Sequence, residues 1–422
     1  MKVSFALSVI IVGIGLTIGF FHRQRLAELR EDRDQLLARA AGLGLDSWPR
    51  SITRQRYERE NRGRSAATEI GALARRLQLG MQNDALDVSF RNQAIKILDR
   101  MTALEPEQLR LIIADLRSDR ALTQATLRNL IGFSIMMLAE ENPATALTLF
   151  SEAGDLVDDD PLSDELLAAS LANLAKDDPR LALKWIRENP ELADSARYRF
   201  LASTARGDPS LALQMIGELG FDENSHAITA IAEAGETLDQ RAAILAALRG
   251  HLSGIRGQIK QDQLREEGLG AIARSLSGEG FGPSIAWISS QKLNPVEIAD
   301  FTGGLTYDIT GSETGPWIEW MAQAVPAGLL DKRISRLMGQ WTQQDYLAAG
   351  QWLTATRSGP ARSAAVKSYA ETVAEYEPQV AGQWALTLTD AEERAATLER
   401  IYRKLPQAEA VVFAAEYGIV TE

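Results

Sequence analysis

The apolar positions of residues 140–405 recur in a common frame. PRLALKWI at 179–186 returns as PSLALQMI at 209–216, GPSIAW at 282–287 as GPWIEW at 315–320, and AGQW at 349–352 as AGQW at 381–384. Counting the first helical residue of each unit as zero, position zero is Pro143, Pro179, Pro209, Phe281, Thr314, Tyr346 and Pro378. Position +3 is Ala146, Ala182, Ala212, Ser284, Trp317, Ala349 and Ala381, and position +6 is Leu149, Trp185, Met215, Trp287, Trp320, Trp352 and Trp384. The steps are 36, 30, 72, 33, 32 and 32 residues, and the 72 holds two units, one of them degenerate, so the frame describes about eight. Asn142, Asp178, Asp208 and Glu377 stand just before proline. Asn and Asp are strong N-caps, and proline suits the first helical position, where its missing N–H is not needed.

Positions +3 and +6 fall one turn apart on one helix face. A small residue at +3 admits a neighbouring helix, and a large one at +6 fills the gap beside it. The pattern predicts a second, Ala-rich amphipathic helix after each frame helix, at 163–176, 195–206, 361–376 and 391–404 for example. A two-helix unit of this length cannot bury its own apolar face, whereas stacked units can. The expected fold is all-α: a right-handed α-solenoid of helix-turn-helix repeats over 141–422. Ala66–Leu77, Glu107–Leu116 after Pro106, and Leu122–Glu140 read as further helices, an N-terminal cap over 65–140.

A different pattern opens the chain. Val3 to Phe21 is an uncharged apolar run, followed at once by His22, Arg23 and Arg25. As a helix, 19 residues span about 28 Å, close to a bilayer core of roughly 30 Å. No small-residue cleavage site follows, so residues 1–22 are expected to be an uncleaved single-pass transmembrane anchor. Five arginines lie in the twenty residues after the run. Counted against Lys2, they favour the cytoplasmic side of the cell (inner) membrane for the body. Export of the body behind an N-terminal anchor, into the periplasm, is the alternative. Residues 23–64 read as an Arg-rich helical stalk and linker. Leu26, Leu29, Leu36 and Leu37 give the stalk an apolar stripe through which two copies can associate.

The unit length, the Pro-capped helix and the Ala/Trp spacing resemble tetratricopeptide-like helical repeats, and more closely the membrane-anchored bacterial proteins with degenerate Trp-containing repeats. The likeness covers roughly 140–405. The Trp-Leu-Gly and Tyr signature of tetratricopeptide repeats is absent, and the period varies. The resemblance implies protein binding and brings no residue-level site.

Composition narrows the chemistry. The 422 residues include no cysteine and three histidines, which removes thiol catalysis, disulfides and Cys-ligated metal. The net charge of −12 divides unevenly: +1 in residues 1–22, +4 in 23–65, and the remaining −17 in 66–422. An acidic body argues against nucleic-acid binding. His22, His226 and His251 have no metal-ligand spacing. Asp155, Asp158, Asp159 and Asp160 lack the alternating ligands of a calcium loop and read as a solvated turn. Gly278, Gly280 and Gly282 follow a helical stretch rather than a strand, and read as a turn between repeats. The exception in the acidic half is 249–265, with Arg249, Arg256, Lys260 and Arg265. It reads as a long loop inserted in the degenerate repeat, able to meet an acidic partner or a phosphate.

No residue is thus assigned as catalytic, cofactor-binding or metal-ligating, and no cofactor is expected. The expected function is a membrane-anchored, non-catalytic scaffold whose acidic repeat surface binds a protein partner. The alternative is an envelope module that binds a glycan or peptide in a groove lined by Trp48, Trp317 or Trp341.

Overall fold

The computed structural model describes residues 65–76, 78–79, 96, 106–153, 161–193, 196–221 and 225–419. The expected anchor (1–22), the stalk and linker (23–64, with Trp48) and the acidic turn from Asp155 to Asp160 lie outside the described residues. The described residues are helical, without a strand among them, an all-α arrangement. No helix among them is long and apolar enough to cross a membrane.

The chain divides into two compact units, Met1–Ala121 and Leu122–Glu422. In the first, α1 (residues 65–76) and α2 (Pro106–Ser118) bury Ile70, Ala74, Ile112 and Leu116, and Arg75 Nη1 meets Asp119 Oδ2 at 2.7 Å.

The second unit runs through α3 (Gln124–Glu141), α4 (Pro143–Glu152), α5 (Pro161–Asp177), α6 (Pro179–Glu188), α7 (Arg197–Gly207), α8 (Pro209–Glu218) and α9 (Ser225–Glu233). It continues with α10 (Leu238–Ser253), α11 (Gln258–Ser277), α12 (Phe281–Ser290), α13 (Pro295–Gly303), the single turn α14 (Tyr307–Thr310), α15 (Thr314–Ala324) and α16 (Ala327–Gln344). Last come α17 (Tyr346–Ala355), α18 (Pro360–Val373), α19 (Pro378–Leu386), α20 (Ala391–Lys404) and α21 (Gln407–Tyr417). Helices α3, α5, α7, α9, α11, α13, α16, α18 and α20 form one row, each packed on the next. The frame helices flank it: α4 lies against α3 and α5, α6 against α5 and α7, α17 against α16 and α18, and α19 against α18 and α20.

The seven position-zero residues are the first residues of seven helices, α4, α6, α8, α12, α15, α17 and α19. Asn142, Asp178 and Asp208 accept from the backbone N–H three residues on, at 3.1, 2.9 and 2.9 Å. Asp345 does the same for α17, accepting from Ala348 N at 3.0 Å. Glu377, one methylene longer, makes no such bond. The +3 residues are fully buried, Trp317 included. Of the +6 rings Trp287 is buried, while Trp185, Trp320, Trp352 and Trp384 are half-buried, so each of these four fills a gap with one part and meets water with another. Trp352 rests on Gly315, where an added Cβ would come within 2.5 Å of the indole nitrogen.

Side chains of one row helix also donate to backbone carbonyls of the helix before it. Asn173 Nδ2 reaches Ala139 O at 3.0 Å, Arg336 Nη1 reaches Gly303 O at 2.7 Å, and Ser368 Oγ reaches Ser335 O at 2.7 Å. Ser203 donates likewise to Ala172 O.

Within the 72-residue step lies α10. Counted from Leu238, its +3 residue is Arg241, a buried cation where the frame otherwise carries a small residue or Trp317. Its guanidinium is held by Ser275 Oγ, Ser275 O and Glu279 Oε1, each at 3.0 Å. Gly235 makes room for it, since a Cβ there would lie 2.7 Å from Arg241 Cγ. A charged residue on an otherwise small-residue position is why the frame is unreadable here.

Candidate functional site

The segment 249–265 corrects the expectation of a long loop. Helix α10 continues through Ser253 and α11 starts at Gln258, leaving a short turn at 254–257. Gly257 takes φ 97° there, the left-handed side that glycine tolerates. Both helices carry apolar residues at helical spacing, and this outweighs the polar, glycine-containing local sequence.

A cleft of about 190 Å³ opens among α10, α11 and the start of α13. Leu245, Leu248 and Leu252 of α10, with Leu269 of α11, make its apolar wall. Arg249, Ser253, Gln261, Arg265 and Glu297 supply the polar part. Two features hold α11 and α13 close. Gly270 and Gly304 meet backbone to backbone, and Arg265 Nε donates to Asp300 Oδ2 at 2.6 Å.

The charges of the cleft are paired internally. Arg249 is bidentate on Glu297, Nε to Oε1 at 2.7 Å and Nη2 to Oε2 at 2.8 Å. Its Nη1 and Nη2 reach Gln291 O at a long 3.4 Å. Glu297 also closes a capping box at the start of α13. Asn294 N donates to its Oε2 at 2.9 Å, and Glu297 N donates to Asn294 Oδ1 at 3.0 Å. Arg265 adds a bond from Nη1 to Asp262 Oδ1 at 2.6 Å. Gln261 Nε2 donates to Leu252 O at 2.8 Å and ties the two helices beside the turn.

The titration of these groups follows from their surroundings. Burial pushes the Glu297 carboxyl up, but the bonds from Arg249 and from the Asn294 backbone outweigh it and hold the group below the usual range. Burial pushes Asp300 up, and here Arg265 only partly offsets it. The bonds to Glu297 hold Arg249 above its ordinary value. Burial works against the charge of Arg265, but Asp300 and Asp262 outweigh it and hold it above its own. His251, half-buried on α10, is lowered by burial.

The other sequence candidates do not join this site. His226 and His251 lie on different helices, and among the described residues no group of three His, Asp or Glu side chains is gathered for a metal. Gly278 to Gly280 turn the chain from α11 into α12, and the first amide of α12, Phe281 N, is taken by Glu313 Oε2 at 2.8 Å. Trp317 and Trp341 are core residues, 0% and 5% exposed, so neither lines a groove. Trp317 is enclosed edge-on by Phe281 and Trp320, and Trp341 lies against Tyr307 and Trp352.

Arg249 and Arg265 were legible as candidates, while Glu297 and Asp300 were not, since they sit 48 and 35 residues from the arginines they meet. The Asn-Pro-Val-Glu sequence at 294–297 carried one usable signal, the capping box that orients Glu297. Neither a protein-family model nor a curated protein matches the chain.

Proposed function

We propose that this chain is a membrane-anchored, non-catalytic scaffold, a tetratricopeptide-like α-solenoid whose acidic surface binds a protein partner. The observation that carries the reading is the regular start of seven frame helices along a continuous row of their neighbours. Such one-dimensional packing leaves long faces free for extended contact with another protein. The −17 of residues 66–422 gives those faces their sign and favours a basic partner. The apolar run at 3–21 supports a single-pass anchor, and the arginines behind it support a cytoplasmic body.

The test has two arms. Deleting residues 1–22 is expected to move the protein from the membrane fraction to the soluble fraction, and a truncated chain that still pellets with membranes refutes the anchor. In-cell cross-linking of the full chain is expected to capture a discrete basic partner. Glu375, Glu377 and Glu392 are exposed, and reversing all three to lysine is expected to weaken that capture while helicity is retained. A folded chain that captures nothing above background, or that captures equally well after the reversal, refutes the acidic-surface scaffold. A reporter fused to the C-terminus reads the side of the membrane.

A further inference from the structure

We propose that the cleft among α10, α11 and α13 is a binding site for a carboxylate carried on a compact apolar group. The apolar wall is built from four leucines, and the volume is about 190 Å³. A dry cavity of about 150 Å³ holds a benzene ring, so this one takes a group of about four to six carbons. The unspent hydrogen-bonding capacity beside that wall is mainly that of donors. Arg265 uses Nε and Nη1, and its Nη2 donates to no described residue. Arg249 spends Nη1 only on the long contact to Gln291 O. Glu297 is saturated by Arg249 and Asn294 and has little left to offer a cation.

The ligand end facing the arginines is therefore an acceptor, and a planar carboxylate matches the guanidinium fork. Both guanidinium groups are already fixed by ion pairs, so little side-chain freedom is lost on binding. The source of such a group is a small branched acid or the C-terminal residue of a peptide. The site stands apart from the scaffold reading, since its loss leaves capture of a partner on the acidic faces unchanged.

The test is titration calorimetry on the purified full-length protein with 4-methylpentanoate, 4-methylpentanamide, N-acetyl-Ala-Leu with a free carboxylate, the same dipeptide as its amide, and inorganic phosphate. At least one acid is expected to bind ten-fold or more tightly than its own amide. Binding of 4-methylpentanoate points to a free acid, and binding of the dipeptide acid alone points to a chain terminus. Amides that match their acids, phosphate that binds more tightly than either acid, or a folded protein that binds none of the probes overturns the proposal. Arg265→Gln alone strands Asp300 in a buried place, so the variant is Arg265→Gln with Asp300→Asn, expected to bind at least ten-fold more weakly. Ser253→Trp, on the exposed rim, blocks the cleft without touching an ion pair and is expected to abolish binding. Either variant binding as the wild type while helical by circular dichroism also overturns it.

Discussion

Gly270 and Gly304 touch each other, yet the structure predicts opposite results for the same substitution at the two. Gly304 follows α13 at φ −85°, a conformation any residue adopts, so space alone decides. A Cβ at Gly304 would lie 2.1 Å from Gly270 O and 2.5 Å from Gly270 Cα, and those are backbone atoms with no rotamer to escape into. Relieving that contact to an ordinary carbon–oxygen distance of about 3.3 Å moves the two segments apart by roughly 1 Å. Gly304→Ala is expected to cost about 3 kcal/mol, the upper end of overpacking penalties. At roughly 2–4 °C per kcal/mol for a large domain, the melting temperature falls by about 6–12 °C. A Cβ at Gly270, inside α11, meets Gly304 Cα at 3.5 Å, an ordinary contact. Gly270→Ala is expected to gain up to about 1 kcal/mol from helix propensity. Thermal unfolding by circular dichroism measures both. Hydrogen exchange localises the effect to the segments around the crossing. A Gly304→Ala protein that melts with the wild type, or a Gly270→Ala protein that loses as much as Gly304→Ala, refutes this crossing. Because the crossing also sets the α11–α13 spacing, Gly304→Ala is expected to weaken the Arg265–Asp300 pair.

Three further outcomes follow from local geometry. Asp208→Ala removes the acceptor for Leu211 N and is expected to lower stability by about 1 kcal/mol, read from the denaturant midpoint. Glu377→Asp supplies at α19 the shorter acceptor that glutamate does not, and is expected to raise the same midpoint by a few tenths to about 1 kcal/mol. His251, lowered by burial from 6.5, is neutral in the folded protein where the unfolded chain already takes a proton. Its contribution is therefore present above about pH 6.5 and is lost as the pH falls through the folded value. Stability measured from pH 5 to 8 is expected to show this slope in the wild type and less of it in His251→Gln.

Much of the fold was legible because several of the frame helices carry their own start signals. A capping Asn or Asp, a proline, a small residue at +3 and a large one at +6 act within one helix, so Pro143, Pro179, Pro209 and Pro378 mark helix starts from local chemistry alone. The same locality explains what was missed. Arg241 occupies the +3 place of α10, where Gly235 gives it room, and its charge is accepted because of Ser275 and Glu279, which no window around 241 contains. The glycines of 249–265 suggested a loop, and packing of the leucines along α10 and α11 made helices instead.

The amino-acid sequence by itself determined the helical class, the frame and the positions at which its helices begin, since these depend on backbone caps and side-chain spacing within a few residues. Only the tertiary structure decided which tryptophans are core and which meet water, that Glu297 and Asp300 come to Arg249 and Arg265, and that a leucine-walled cleft opens beside them. The two ion pairs join residues 48 and 35 apart, and all of these outcomes depend on side chains from different helices, brought together when the burial of one row of helices fixes the distance between their backbones.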